Sequence, residues 1–257
     1  MAETNPIVQL RQLSKRFDQS PDVLRGVDLD VNEGEFISFV GPSGCGKSTL
    51  LRLLAGLTSV SDGALLIDGE SPTEPRDDLY LVFQEANLLP WSRVRENVEL
   101  PMKLQGKPKN ERQSVADSML ELVGLKNASD RFPRQLSGGM KMRVSIARAL
   151  SVSPRILLLD EPFGALDAIT RNQLNEDLLR IREQDSFTAF FVTHSVAEAV
   201  FLSTRIVVLE SNPGRIADII DVPHSYPRTA EFRESREYFD LLARTSKALR
   251  QQEGNNG

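Results

Sequence analysis

Residues 41–49 read Gly-Pro-Ser-Gly-Cys-Gly-Lys-Ser-Thr, and they follow the apolar run Glu35-Phe36-Ile37-Ser38-Phe39-Val40. Backbone that wraps a phosphate with successive N–H groups leaves no room for side chains, so Gly41, Gly44 and Gly46 in a GxxxxGKS frame read as a phosphate cradle. A helix opening near Lys47 would turn its unpaired N-terminal donors and positive dipole end toward the same point. Lys47 is then expected to reach the β- and γ-phosphates, and the Ser48 hydroxyl to ligate magnesium.

Composition sets the frame around this loop. The chain has 257 residues, 40% hydrophobic and 26% charged, which suits one large α/β domain or two small ones with a sizeable core. A net charge of −5 disfavours a broad basic face of the kind that neutralises nucleic-acid phosphates, so no nucleic-acid partner is expected. The single cysteine, Cys45, has no intramolecular partner and points to a reducing compartment, with small-residue filling as its plain role. Met1 to Pro6 lacks a basic region followed by an apolar core, and no apolar run approaches the roughly 20 residues that cross a bilayer. A cytosolic location is the expectation. Two histidines and one cysteine leave little scope for a transition-metal site.

Strand-like runs occur at 7–10, 23–31, 36–40, 65–67, 79–83, 156–159, 188–192 and 206–209. The continuous runs at 156–159 and 188–192 predict central parallel strands covered on both faces; the alternating early runs suit a half-exposed antiparallel sheet. From 85 to 153 the spacing turns helical. Val115, Met119 and Leu122, with Ala116, Leu120 and Val123 beside them, predict a helix capped by Asn110 and stopped by Gly124. A second helical pattern runs over 168–184 through Ile169, Leu174, Leu178 and Ile181, and Ser195 with Glu198 predicts a capping box. Residues 228–250 are charge-rich and read as an amphipathic helix packed on the core.

The run Ile156-Leu157-Leu158-Leu159-Asp160-Glu161 ends a buried strand in two carboxylates, at the sheet edge where open α/β folds bind ligands. Asp160 is expected to hold the magnesium water shell and Glu161 to polarise an attacking water. Gln84 follows the strand at 79–83 and can accept from a magnesium-bound water. His194 follows the strand at 188–192, where it could bond a γ-phosphate; spacing alone equally supports a structural histidine. Leu136-Ser137-Gly138-Gly139-Met140 offers a serine cap, two glycines and a helix start, which is a second anion site. Two such sites with one Lys-Ser pair suggest two copies facing head to tail.

The ordered set GPSGCGKST, Gln84, LSGGM, ILLLDEP, Ala165-Leu166-Asp167 and His194 resembles the ATP-binding subunit of an ABC transporter, over roughly residues 7–215. The resemblance implies a P-loop (RecA-like) α/β fold with a mixed sheet, an N-terminal antiparallel β-subdomain and an inserted α-helical subdomain at about 85–153. These form an ATPase domain over 1–225, with a helical tail over 226–257. It implies that Gly41, Pro42, Ser43, Gly44, Cys45, Gly46, Lys47, Ser48 and Thr49 are the Walker A loop around ATP. It implies Gln84 as the Q-loop glutamine, Ser137, Gly138 and Gly139 as the signature, and Asp160 as the Walker B aspartate. Glu161 is then the catalytic base, aided by Lys47 and by His194 as the switch histidine, with Asp167 a contact of the D-loop. Magnesium falls to Ser48, Gln84 and Asp160. Phe17 stands where the family often has a tyrosine stacked on adenine, and an aromatic face suffices. Met140 replaces a more frequent glutamine and leaves Ser137 and the glycines intact.

The resemblance further implies a homodimer that sandwiches two ATP molecules and drives a membrane permease, with an extracytoplasmic solute-binding protein as an indirect partner. The chain would sit on the inner face of the cell membrane. Asn87 to Val98 resembles the surface that receives the permease, with Trp91 either an anchor there or a core residue. Leu88-Leu89-Pro90-Trp91, the His194–Val200 stretch and Pro213-Gly214-Arg215-Ile216 look most like importers for nitrate, sulfonates or taurine. Related members take up bicarbonate or vitamin precursors. A soluble ABC-type ATPase that remodels nucleic acid or ribosomes is the rival, and it usually carries long insertions or fused cassettes that do not occur in this sequence. A P-loop kinase leaves LSGGM and His194 unexplained, and an export subunit stays open.

Overall fold

The computed structural model describes residues 6–18, 20–164, 166–184 and 186–254. Strands β1 (Val8–Lys15), β2 (Leu24–Val31) and β3 (Phe36–Val40) precede helix α1 (Lys47–Leu54), then β4 (Asp62–Ile67) and β5 (Leu79–Val82). Three helices follow: α2 (Val94–Leu104), α3 (Lys109–Leu122) and α4 (Gly138–Leu150). The chain returns through β6 (Ile156–Asp160), α5 (Ala168–Gln184), β7 (Thr188–Val192) and α6 (Val196–Leu202). It closes with β8 (Arg205–Glu210), β9 (Arg215–Asp221) and α7 (Arg236–Gly254).

The larger sheet has the order β5-β6-β7-β3-β8-β9 and is parallel except for β9. Strands β3 and β7 are buried at every position, as continuous β-branched and aromatic runs require of strands covered on both faces. Their alternation divides the core. Phe36, Leu157, Leu159 and Phe191 face α4, α5, α6 and α7, while Ile37, Phe39, Leu158 and Phe190 face α1 and the second sheet. That second sheet is antiparallel, in the order β2-β1-β4, with one face buried and the other wet. Helices α2, α3 and α4 share a separate apolar cluster that includes Val94, Val98, Ala116, Leu120, Val144 and Ala147.

The structure corrects several details of the sequence reading. Asn110 lies inside α3, and Pro108 stands at the cap, where a missing N–H is harmless. Gly124, at φ +70°, does follow the end of that helix. Ala116, Leu120 and Val123 are the buried residues of α3's stripe, and Val115, Met119 and Leu122 flank it. Ile169 is 84% exposed and stays out of the core, whereas Leu174, Leu178 and Ile181 are buried. Strand β9 had no counterpart among the expected strands: Arg215–Asp221 alternates like an edge strand, and only pairing with β8 fixes it. Ser195 caps α6 through a hydrogen bond from the Glu198 N–H, but the Glu198 carboxylate turns elsewhere instead of completing the box.

Candidate functional site

Parallel pairing puts the carboxyl ends of β5, β6, β7 and β3 on one edge, side by side, and each delivers a polar residue there. After β3 the loop at 41–46 turns into α1 at Gly46, whose φ of +95° favours glycine. A Cβ on Gly46 would also lie 2.6 Å from Leu24 Cδ2. Lys47 is buried, and its ammonium donates to the carbonyls of Gly41 at 2.8 Å and Pro42 at 2.9 Å. The Cys45 thiol is 3.7 Å from the same ammonium; burial pushes its pKa up, against the pull of Lys47.

The Ser48 hydroxyl donates to Asp160 Oδ1 at 2.9 Å, joining the start of α1 to the end of β6. Burial raises the Asp160 carboxyl above the ordinary aspartate range, opposed by this hydrogen bond. Glu161 follows in the left-handed region, at φ +48°, with its N–H on Val192 O at 3.0 Å. That turn carries its carboxylate to two partners. His194 Nε2 lies 2.7 Å from one oxygen, and Gln84 Nε2 donates to the other at 3.4 Å. The Glu161 side chain is 13% exposed and that of His194 54%, so the carboxylate is largely covered while the imidazole that meets it reaches the surface.

Ser137 caps α4, its hydroxyl accepting from Met140 N at 3.3 Å. With Gly138, Gly139, Asp167 and Thr170 it lines a surface cavity of about 370 Å³ that contains no residue of the 41–49 loop. Asp167 caps α5 by accepting from the N–H groups of Ile169 and Thr170, and the Thr170 N–H lowers its pKa. Ala165, named in the same motif, lies outside the described residues. Lys47, Ser48, Gln84, Asp160, Glu161 and His194 thus converge within the chain, and Ser137, Gly138 and Gly139 stand apart. Phe17 is 41% exposed, with the Lys15 ammonium 4.7 Å from its ring centre.

Sequence reasoning gave no role at this site to two supporting residues, Arg148 and Gly214, although Gly214 falls in the Pro213–Ile216 stretch read as a family likeness. Buried Arg148 donates from α4 to the carbonyls of Asn87 at 2.9 Å and Ala86 at 3.0 Å, gripping the loop that begins at Gln84. Gly214 presses on the phosphate-loop backbone, since a Cβ there would lie 2.1 Å from Cys45 O. Neither has a local sequence signal, because each acts across the fold.

A family model described as ABC transporter matches residues 24–164. The chain belongs to the ABC transporter family. Within that family it is 52% identical, over 80% of its own length, to the bicarbonate transport ATP-binding protein CmpC of Synechococcus elongatus. It is 46% identical, over 89% of its length, to the nitrate import ATP-binding protein NrtC of the same organism. It spans only about a third of these relatives, 31% of CmpC and 35% of NrtC. A dimeric post-hydrolysis structure of the ATP-binding cassette MJ0796 with ADP and Pi superposes with a TM-score of 0.76 at 33% identity, covering 85% of this chain and all of that one.

Proposed function

We propose that this chain is an ATP-hydrolysing subunit that works as a homodimer beneath a separate membrane permease and energises solute import, with nitrate, sulfonate or taurine as the solute class. The observation that carries the chemistry is the Glu161 carboxylate, held between His194 and Gln84 next to the Ser48–Asp160 pair. Ser48 and Asp160 are hard oxygen donors in contact, and no cluster of three metal-binding side chains accompanies them among the described residues. That set fits magnesium, which is usually held by one or two protein groups and completed by phosphate oxygens and water. Gln84 would hold one of those waters. Magnesium held by these residues would supply charge neutralisation at the phosphate oxygens.

In this reading the 41–49 loop turns its backbone N–H groups to the phosphates, and Lys47 exchanges its carbonyl partners for phosphate oxygens. Glu161 orients and deprotonates the attacking water, while His194 holds the carboxylate and meets the γ-phosphate. Phe17 offers its exposed ring to the adenine. Ser137, Gly138 and Gly139 serve the site of a second copy. Their separation from this chain's own loop, and the dimeric state of MJ0796, support that arrangement.

The permease surface is assigned to the cleft of about 570 Å³ that begins at Gln84 and includes Leu88, Pro90, Arg134 and Lys141. Trp91, in the 87–98 stretch, is 72% exposed and lines a separate cavity with Ser92 and Arg93, which argues against a core role and supports an anchor. No helix among the described residues is long and apolar enough to cross a membrane, and we place the chain peripherally on the cytoplasmic face. The likeness to NrtC and CmpC supports an inorganic anion of the nitrate or bicarbonate kind as solute; sulfonate or taurine, and delivery outside by a binding protein, rest on the sequence resemblance alone. Nucleic acid has no part in this reading.

The test is to tag the chain, solubilise native membranes gently and identify what co-purifies, with magnesium-dependent ATPase measured on the same sample. A multi-span permease in an ATP-hydrolysing complex supports the proposal. Soluble or nucleic-acid-bound partners alone would overturn the transport role.

A further inference from the structure

Behind His194 lies a cluster of charged and hydroxyl side chains to which the mechanism above gives no task. Glu198, in the first turn of α6, is only 4% exposed. One of its carboxylate oxygens accepts from the Thr193 hydroxyl, and the other pairs with Arg171 Nε of α5 at 3.2 Å. The Thr193 hydroxyl also accepts from Ser195 N at 3.0 Å, so it is held on both sides of His194. Arg171 has a second grip: Nη2 donates to Leu166 O at 2.8 Å, on the turn that lines the Ser137 cavity beside Asp167.

This arrangement exceeds what capping α6 requires. Ser195 already accepts from the Glu198 N–H, so the helix start is satisfied without the carboxylate. Burying a carboxylate is unfavourable unless it is paired and hydrogen-bonded, and burial here raises the Glu198 pKa against the pull of Thr193 and Arg171. The carboxylate is spent on the residue before His194 and on α5. A guanidinium suits the junction because its delocalised charge faces the carboxylate as an ion pair while Nη2 donates to the carbonyl, which a lysine cannot do in the same geometry.

We infer that Arg171 and Glu198 are positioning residues that hold His194 against Glu161 and tie it mechanically to the Leu166–Asp167 turn facing the second copy's site. The inference rests on the proposed ATPase for its kinetic consequence only. The chain has two histidines, His194 and His224. His224 contacts Glu237 at 3.0 Å and stacks on Phe232, so it serves as an internal control for the fold.

The experiment uses the full chain with labelled histidine, as wild type, Arg171→Met, Arg171→Lys, Glu198→Gln and the Arg171→Met/Glu198→Gln double variant. Imidazole signals are assigned with His224→Gln, and ATP turnover is measured alongside. The expected result is that His194 signals move in each variant while His224 keeps native-like signals. Turnover should fall about tenfold or more with KM for ATP held within about twofold, because misplacing a catalytic group removes stabilisation made only in the transition state. The double variant should be no worse than the worse single variant, as for groups that act as one unit, and Arg171→Lys should recover part of the loss. His194 signals that stay in place in both Arg171→Met and Glu198→Gln would overturn the inference, whatever happens to stability. Wild-type protein that does not hydrolyse ATP would instead overturn the proposed function, and the imidazole signals would still decide the positioning role.

Discussion

Replacing Arg228 by Met should unfold this protein far more easily than its place in a charge-rich tail suggests. Arg228 is 4% exposed. Its Nη1 donates to the carbonyls of Val200 at 3.2 Å, Phe201 at 2.9 Å and Ser203 at 2.8 Å, at the end of α6. Its Nη2 donates to Val222 and His224, and the guanidinium lies 4.4 Å from the Tyr226 ring centre. Helix ends leave their last carbonyls unpaired, and here a distant arginine satisfies them. Methionine keeps the apolar stem and removes every donor. Each buried carbonyl left unpaired costs about 1–3 kcal/mol. Burial also pushes the Arg228 pKa down, so removing the cation relieves some desolvation and the low end of that range applies. The three carbonyls at the end of α6 alone then give about 3 kcal/mol, with a few tenths more from the lost charge at the helix C-terminus. Against a total of about 5–15 kcal/mol that is a large fraction. Urea unfolding followed by far-ultraviolet circular dichroism measures it directly. A loss below about 1 kcal/mol would refute the reasoning that Arg228 caps α6.

Four further outcomes are expected. Glu161→Gln should bind ATP and accumulate as a closed dimer while turnover falls about 10²–10⁴-fold, and wild-type turnover would dismiss Glu161 as the base. Ser137→Ala and Lys47→Ala, each inactive alone, should regain ATPase when mixed, because a mixed dimer keeps one intact composite site; a mixture as inactive as its components would remove the head-to-tail arrangement. Gly214→Ala should raise KM for ATP and lower stability by about 1–3 kcal/mol, because its Cβ would stand 2.1 Å from Cys45 O and force the phosphate loop to move. Asp160 ionises at higher pH folded than unfolded, so the stability it contributes is full below its unfolded value of 3.8 and is lost as pH rises through the folded value. Unfolding midpoints of Asp160→Asn should therefore rise relative to wild type as pH increases above the unfolded value of 3.8, and a relative fall would contradict the burial argument.

Much of the candidate site is legible because its parts are local signals placed at strand ends. A glycine-rich loop after β3, two carboxylates at the end of β6 and a histidine after β7 each show in a few consecutive residues, and parallel pairing is enough to bring them together. The continuous apolar character of residues 156–159 and 188–192 identifies the strands that do so, since only strands buried on both faces carry such runs. Elements held by partners are harder to read. Strand β9 is an ordinary alternating stretch until β8 pairs with it. Ile169 continues the apolar spacing of α5 yet faces solvent, because α5 rests on the core through Leu174, Leu178 and Ile181 farther along. The Asn110 cap fails for the opposite reason: α3 begins two residues earlier, behind a proline whose geometry already suits a helix start.

Arginines show the same limit most plainly. In the sequence Arg148, Arg171 and Arg228 look like ordinary solvated charges, and in the fold each reaches a carbonyl or carboxylate of another element. Their targets share a logic. Arg148 grips the loop that starts at Gln84, Arg171 the carboxylate behind His194, and Arg228 the far end of the helix that carries that carboxylate. Gln84 and His194 are also the two residues that hold Glu161. The tail beyond residue 226 therefore bears on the catalytic edge through α6, whose buried face it covers with Phe232 and Tyr238. A helix of seven residues is too short to keep its place by its own hydrogen bonds, so its position depends on what packs at both ends. If α6 is displaced, His194 leaves Glu161, and the loss should reach catalysis before it reaches the fold as a whole.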